Sequence, residues 1–327
     1  MKVHLLSAYP GPPVDPNNFA FLWLRESAAA DPFRRHQVTD DPESADIILF
    51  VENHPGLDPY LLGVRSHPLF RRHRRKCFLY HDADIALPIS RGVYPSIRRR
   101  DFQPDRCRSY GYIARLVHNS AIRYDPEPVE RHWLYTFFGE ANSAVRKAIF
   151  ARAHPDGLVR DTTGHRLWEL RGDAFAAFTR DYADAILKSR FVLCPAGLGP
   201  TSYRLFETME MGRVPVILSD EWLPPIGPDW ESFSLRLPED RVGELSALLI
   251  PHAARCEAMG RAARQAWEDW FAKPVCFHRL VELCAELLAT PASPFSALRP
   301  WWSLVRPPHA QNLLRPRYRS LTARLRR

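Results

Sequence analysis

At 327 residues the chain exceeds the usual size of a single hydrophobic core, so two domains are expected. Hydrophobic residues at 46% and charged residues at 25% describe a globular protein. The lack of any apolar run of 18 residues excludes a membrane-spanning helix. Lys plus Arg number 45 against 37 acids, but Phe295 to Arg327 alone holds eight Arg and no acid, and 45 less 8 leaves 37 against 37. The positive charge is thus a property of the tail, and a neutral body without a nucleic-acid module speaks against nucleic-acid binding.

In chain order, KVHLLSAY from Lys2 reads as a first strand rather than a secretion signal, which makes a cytoplasmic protein the expectation. ADIILFVE from Ala45 and CFLYHDA from Cys77 follow as strands, with helical stretches between them. The basic run RRHRRK, Arg71 to Lys76, sits at a helix end, where cations suit the dipole. Polar residues and two prolines interrupt the pattern between His118 and His132. A second series opens at WLYTFFGE from Trp133 and continues through the helix SAVRKAIFARA, a strand near LVRDTT and a helix before Ser189. Strands FVLCP and RVPVIL then flank the helix SYRLFETMEM. Short apolar strands alternating with helices mark parallel, doubly wound sheets, and two series imply two Rossmann-like domains. The expected boundaries are 1–125, 126–290, which takes in the helices HAARCEAMGRAARQAWEDWF and CFHRLVELCAELLA, and a basic Pro/Arg-rich tail at 291–327.

Six cysteines lie far apart without a CxxC pair, which predicts reduced, buried thiols. The histidines are scattered and lack HEXXH or HxH spacing, so no tightly held metal is expected.

The stretch with the most chemistry runs from Phe191 to Leu218. A strand ends at Cys194, Pro195-Ala196-Gly197-Leu198-Gly199-Pro200 turns, and Thr201 or Ser202 can cap a helix whose free amides face the turn. Such a terminus binds anions, although Gly, Ser and Pro serve turns and caps for purely structural reasons too. Arg204 places a cation in the first helical turn, against the helix dipole, a penalty that an anionic ligand would reverse. Glu207 follows five residues after Ser202, roughly 7 Å along the axis, about the distance from a pyrophosphate to its ribose hydroxyls. A surface pair between Arg204 and Glu207 at i and i+3 explains the same two residues equally well.

The run from Ser189 to Asp240 resembles the signature of exostosin-type glycosyltransferases, glycosyltransferase family 47. The residues in register are Ser189, Phe191, Pro195, Gly197, Ser202, Arg204, Glu207, Gly212, Pro215, Val216, Ile217, Trp230, Phe233 and Ser234. A weaker likeness extends upstream through DPESADIILFV from Asp41, GVYPSI from Gly92 and WLYTFFGEANSAVRKAIF from Trp133.

The resemblance implies an inverting transferase of GT-B architecture, two Rossmann-like domains facing each other across a cleft, with a nucleotide-diphosphate sugar as substrate and no tightly bound cofactor or metal. Ser202, Tyr203 and Arg204 would then meet the donor with Pro195 and Gly197, and Glu207 would meet the ribose. The turn Gly139 to Ser143, ahead of Arg146, would face the same phosphates. Asp220 and Glu221 would accept hydrogen bonds from the sugar, with Trp222 and Trp230 stacking on it or anchoring their loop. Arg204 would also stabilise the leaving diphosphate. The base that takes the acceptor proton is sought at strand ends of the first domain, among Glu52, His54, Asp82 and Asp84, with Asp84 favoured.

The implied partners are a nucleotide-sugar donor, UDP-linked by preference, and a glycan or glycolipid acceptor of surface polysaccharide synthesis. The lack of an anchor points to a bacterial-type soluble member. In the tail, Tyr318, Leu321 and Leu325 follow helical spacing among arginines and suit an anionic membrane surface. The competing reading is a catalytically silent nucleotide- or glycan-binding member of the same fold.

Overall fold

The structure, a computed structural model, describes residues 1–9, 19–53, 58–113, 119–164 and 170–314. His54 and the tail residues Tyr318, Leu321 and Leu325 lie outside them. Two compact units are present. The first comprises Met1–Ala114, Leu223–Ile226 and Lys273–Arg327, and the second Arg115–Trp222 and Gly227–Ala272.

The first unit contains β1 (Lys2–Leu6), α1 (Phe19–Ala30), β2 (Gln37–Val38), β3 (Ile47–Asn53), α2 (Leu62–Ser66), α3 (Pro68–Arg72), β4 (Cys77–Asp82), β5 (Gly92–Val93) and β6 (Cys107–Arg108). These strands form one all-parallel sheet in the order β2-β1-β3-β4-β5-β6. Ile47, Ile48, Leu49, Phe50 and Val51 are all buried, because a central parallel strand is covered on both faces and cannot alternate apolar with polar residues. The basic run ends α3 as expected, with Arg71 and Arg72 in its last turn. Lys76 then donates to the carbonyls of Pro42, Glu43 and Ala45 at 2.8, 3.0 and 2.8 Å, closing the chain's entry to β3.

The second unit contains β7 (Trp133–Gly139), α4 (Ala144–Phe150), β8 (Gly157–Asp161), α5 (Gly172–Leu187), β9 (Ser189–Pro195), α6 (Tyr203–Glu210), β10 (Val214–Leu218), α7 (Trp230–Phe233), β11 (Leu235–Arg236), α8 (Leu245–Leu249) and α9 (Cys256–Trp270). Its parallel sheet runs β11-β10-β9-β7-β8. α6 stops because Gly212 adopts φ +64°, which lets its N–H reach the Met209 carbonyl (3.0 Å) while Arg213 N–H reaches that of Thr208 (2.9 Å). This is the closing pattern of a Schellman motif, and it turns the chain directly into β10.

Both sheets reverse their order of assembly once. β1 connects to β2 on one side while β3 adds on the other, and β7 connects to β8 on one side while β9 adds on the other. The carboxyl ends of β1 and β3, and of β7 and β9, are therefore switch points, where adjacent connections diverge and leave a crevice for a ligand.

The domain boundaries differ from the sequence reading at the end of the chain. α10 (Lys273–Ala289), assigned by pattern to the second domain, returns to the first unit, where it packs along α1, and Phe277 N–H donates to Ser27 Oγ at 2.8 Å. The tail is not a separate segment as far as it is described. α11 (Arg299–Ser303) follows, Leu304 and Leu313 pack against Tyr60, Leu87 and Ile89, and buried His309 joins Tyr60 and Asp101 at 3.0 Å each. Alternation of strands and helices carries no information on which sheet a terminal helix will cover, and that is why the pattern misplaced it. All six cysteines are buried and free, as their spacing predicts. Among the described residues, no helix is long and apolar enough to cross a membrane.

Candidate functional site

The switch point of the second unit gathers most of the residues singled out by sequence. β7 ends in Phe137, Phe138 and Gly139, and β9 ends in Pro195. Ser202 caps α6 by accepting from Arg204 N–H at 3.3 Å, and Ser143 caps α4 by accepting from Arg146 N–H at 3.4 Å. Ser143 Oγ also donates to Ala196 C=O at 2.7 Å. That bond ties the turn before α4 to the turn before α6, so the two amide-rich loops form one structure.

Two guanidinium groups occupy this junction. Arg146 donates through Nε to Ala196 C=O (3.1 Å) and through Nη2 to Pro195 C=O (3.3 Å), and its charge lies 5.6 Å from the Phe137 ring centre. Arg204 lies over the same ring at 4.6 Å, stands 5.7 Å from the Tyr182 ring, and donates through Nη2 to Phe138 C=O at the end of β7. The glycines make room for these groups. A Cβ at position 197 would stand 2.9 Å from Arg146 Nη2, and one at position 139 would stand 2.9 Å from Phe137 and 3.3 Å from Arg204 Nη2.

Arg204 is 8% exposed, and its Nε and Nη1 have no hydrogen-bond partner among the described residues. A buried cation with two idle donors is expensive, about 1–3 kcal/mol for each unsatisfied group. Nε and Nη1 do not share one fork of the guanidinium, so separate oxygens of an anionic ligand, such as those of two linked phosphates, would satisfy them.

The sequence places Arg204 beside its own helix terminus, opposing the dipole at the surface. In the structure the side chain is instead turned inward across the sheet edge. Glu207 is engaged by α5, its Oε2 accepting from Tyr182 O–H at 2.5 Å. Burial, and then the Glu207 charge, push the Tyr182 phenol well above its usual range, so it stays a donor. Tyr182 and Phe137 are neighbours of Arg204 that sequence reasoning did not single out. Their only signal is an aromatic residue in a strand or helix, which the core explains equally well.

Tyr203 is half-buried at the first position of α6. Glu221 is half-buried beyond β10, and exposed Asp220 is engaged in its own loop: its N–H donates to Glu239 Oε1 (3.0 Å) and its Oδ1 accepts from Glu239 N–H (3.3 Å). Trp222 and Trp230 pack edge to face at 5.0 Å, and Trp230 also meets Phe233 and Phe271, so these two tryptophans anchor the loop.

The first unit has its own constellation at its switch point. Glu52, at the end of β3, is fully buried and accepts from Ser7 O–H (2.8 Å) and Ala8 N–H (2.5 Å) just beyond β1. Burial, only partly offset by those two bonds, pushes its carboxyl up to about 7. Asp82 ends β4, is buried, and accepts from Asn53 Nδ2 at 2.9 Å. Asp84 lies two residues further on, half-buried, and accepts from Tyr112 O–H at 2.9 Å. The sequence favours Asp84 among these carboxylates; in the fold Glu52 is the one that stands at the switch point between β1 and β3.

Comparison with known proteins bears on the second unit. Residues 112–250 match the model of the Exostosin GT47 domain, which spans the whole Arg146–Arg204 junction. Of the weaker upstream likeness, the stretch from Trp133 falls within that match, and those from Asp41 and Gly92 precede it. A probable glucuronosyltransferase of Oryza sativa subsp. japonica is 34% identical over 189 residues, 53% of this chain and 44% of the relative. The Exostosin-1 homolog of Caenorhabditis elegans is 26% identical over 157 residues, 43% of this chain and 41% of the relative. The match thus supports kinship with glycosyltransferase family 47, while the aligned stretches span less than half the length of either relative. Among solved structures, TarM aligns with 81% of this chain and 58% of its own at 8% identity, with a TM-score of 0.42.

Glu52 gives a pH test independent of activity. Its folded-state value of about 7 lies above the ordinary 4.5, so the folded protein holds this proton more tightly than the unfolded chain does. The resulting stability is fully present below the lower value and is lost as pH rises through the upper one. In Glu52→Gln nothing titrates at this position, so relative to wild type the variant should gain on the order of 2–3 kcal/mol between about pH 4 and pH 8. Urea unfolding at both pH values measures this, and a difference between the two proteins that does not change with pH contradicts it.

Proposed function

We propose that this chain is an inverting glycosyltransferase on the GT-B plan, moving a sugar from a nucleotide-diphosphate donor to a hydroxyl of a polysaccharide or glycolipid acceptor. The observation that carries this reading is the Arg204 guanidinium, buried at the β7/β9 switch point with Nε and Nη1 unpaired. A diphosphate supplies what those donors lack. The glucuronosyltransferase name of a relative favours a uronic or related sugar, and a uridine diphosphate is the first donor to try.

In this scheme Arg204 takes a phosphate oxygen pair, Arg146 holds the turn that receives it, and Glu207, aligned by Tyr182, accepts from the ribose hydroxyls. As the acceptor oxygen bonds to the anomeric carbon, the bond from that carbon to the diphosphate breaks and its electron pair leaves with the diphosphate. The two guanidiniums meet the charge that develops there, without a metal being required. The acceptor proton needs a base, for which Glu52 is the candidate: burial pushes its carboxyl up to about 7, and Ser7, bonded to it at 2.8 Å, can relay the proton.

The binding half is tested by thermal unfolding with uridine and guanosine diphosphates. At a hundredfold excess over Kd a single ligand stabilises by about 2.7 kcal/mol. One of the two should raise Tm by several degrees in wild type and not in Arg204→Ala or Glu207→Ala. An unaltered rise in both variants overturns the assignment. The transfer half is tested by the pH dependence of turnover, which should rise through about pH 7 in wild type, as a base that must be deprotonated requires. The rise should vanish in Glu52→Gln; its survival there and loss in Asp84→Asn would move the role to Asp84.

A further inference from the structure

The first unit carries a cluster of ligand-type atoms for which the proposed transfer has no use. After α1 ends at Ala30 the chain runs to His36, one residue before β2. Gln37 N–H donates to Met1 C=O at 2.9 Å and β2 pairs with β1, so His36 stands at the amino-terminal edge of the sheet, the edge opposite Glu52. α10 packs along α1, and its His278 and Glu282, four residues apart, share one face of that helix. One ligand atom from each of His36, His278 and Glu282 lies within 4.8 Å of the other two.

The contacts among these groups combine a close His36–Glu282 pair with buried atoms that lack hydrogen-bond partners among the described residues. His36 Nε2 lies 2.7 Å from Glu282 Oε1 but is not aligned with it as a hydrogen bond. His36 Nδ1 faces the Met1 amine at 3.4 Å, which leaves Nε2 as the nitrogen turned towards the carboxylate. The two imidazoles stack at 5.1 Å with 24° between their planes. His278 is 4% exposed, and its Nδ1 has no partner among the described residues. Asp31, also buried, acts electrostatically on His278 and leaves its own Oδ2 without a donor. The Met1 amine and the N–H that each neutral ring carries meet only part of the lone pairs gathered here, and for Asp31 Oδ2 and the ring nitrogens left without a partner a cation that accepts lone pairs answers the shortage. A tetrahedral site with bonds of ~2.1 Å has ligand-to-ligand edges of roughly 3.4 Å, which small rotations of these three side chains would provide.

We propose that His36, His278 and Glu282 bind a divalent transition metal of the zinc class, which clips α10 to the segment following α1. Two imidazoles and one carboxylate favour zinc, cobalt or nickel over magnesium or calcium, which prefer oxygen-only shells. Asp31 or water completes the shell. α10 is the helix by which the chain re-enters the first unit at Lys273, so the metal fastens two parts of that unit that are remote in sequence. Its position at the amino-terminal edge of the sheet makes it a structural ion rather than a partner in transfer.

The full-length chain, stripped with chelator and then titrated with zinc and separately with cobalt, tests this. Expected are one equivalent of bound zinc, a rise in Tm that chelator reverses, and visible d–d absorption from cobalt. The double variant His36→Gln/Glu282→Gln should lose all three while keeping a metal-free Tm close to that of wild type, because Glu282 is about half exposed and His36 keeps a polar ring substitute. Absence of a stoichiometric zinc effect in wild type overturns the proposal. Equal metal uptake by the double variant overturns it as well.

Discussion

The buried guanidinium of Arg204 is the constraint around which the second unit is organised. It has to cross the sheet edge to reach the Phe138 carbonyl, and it needs the flat face of Phe137 beneath it and a residue without a side chain at Gly139. Arg146 shares the same ring, and its bonds to Pro195 and Ala196 fix the course of the turn that precedes α6. Two like charges over one ring repel. An anion between or beside them would convert that repulsion into binding, as the proposed diphosphate donor requires.

The first unit uses the same topological opening for the opposite electrostatic purpose. At its switch point stands a carboxylate, and burial keeps its proton affinity near neutrality instead of leaving it permanently charged. In the proposed transfer a pair of cations would suit the leaving group and a proton acceptor the nucleophile. Each of these groups is costly to hold in the absence of its substrate, a pattern common where function rather than stability selects the residue.

Much of this was legible in the sequence because it rests on local pattern. The continuous apolar runs announced parallel strands, Ser202 and Ser143 announced helix starts, and the spacing from Ser189 to Ser234 carried the family resemblance. Features that depend on side-chain direction or on remote contacts were not legible. Arg204 could be located on its helix but not aimed, since a first-turn residue can point to solvent or to the sheet. Glu52, Asp82 and Asp84 look alike as strand-end carboxylates, and only the fold shows that Glu52 is sealed between β1 and β3. The spacing of His278 and Glu282 has no meaning until α10 lies against α1 and brings His36 beside them. Asp220 has the right chemistry for a sugar contact, and only the fold shows that its loop is held to Glu239.

The most direct measurement is the side-chain Nε–H resonance of Arg204, assigned by its loss in Arg204→Lys, followed by heteronuclear NMR during titration with uridine diphosphate. If this guanidinium receives the donor phosphates, its cross-peak should move saturably downfield with the same Kd as the thermal shift, and its exchange with water should slow. A cross-peak that stays fixed while the nucleotide saturates the protein would show that the phosphates bind elsewhere.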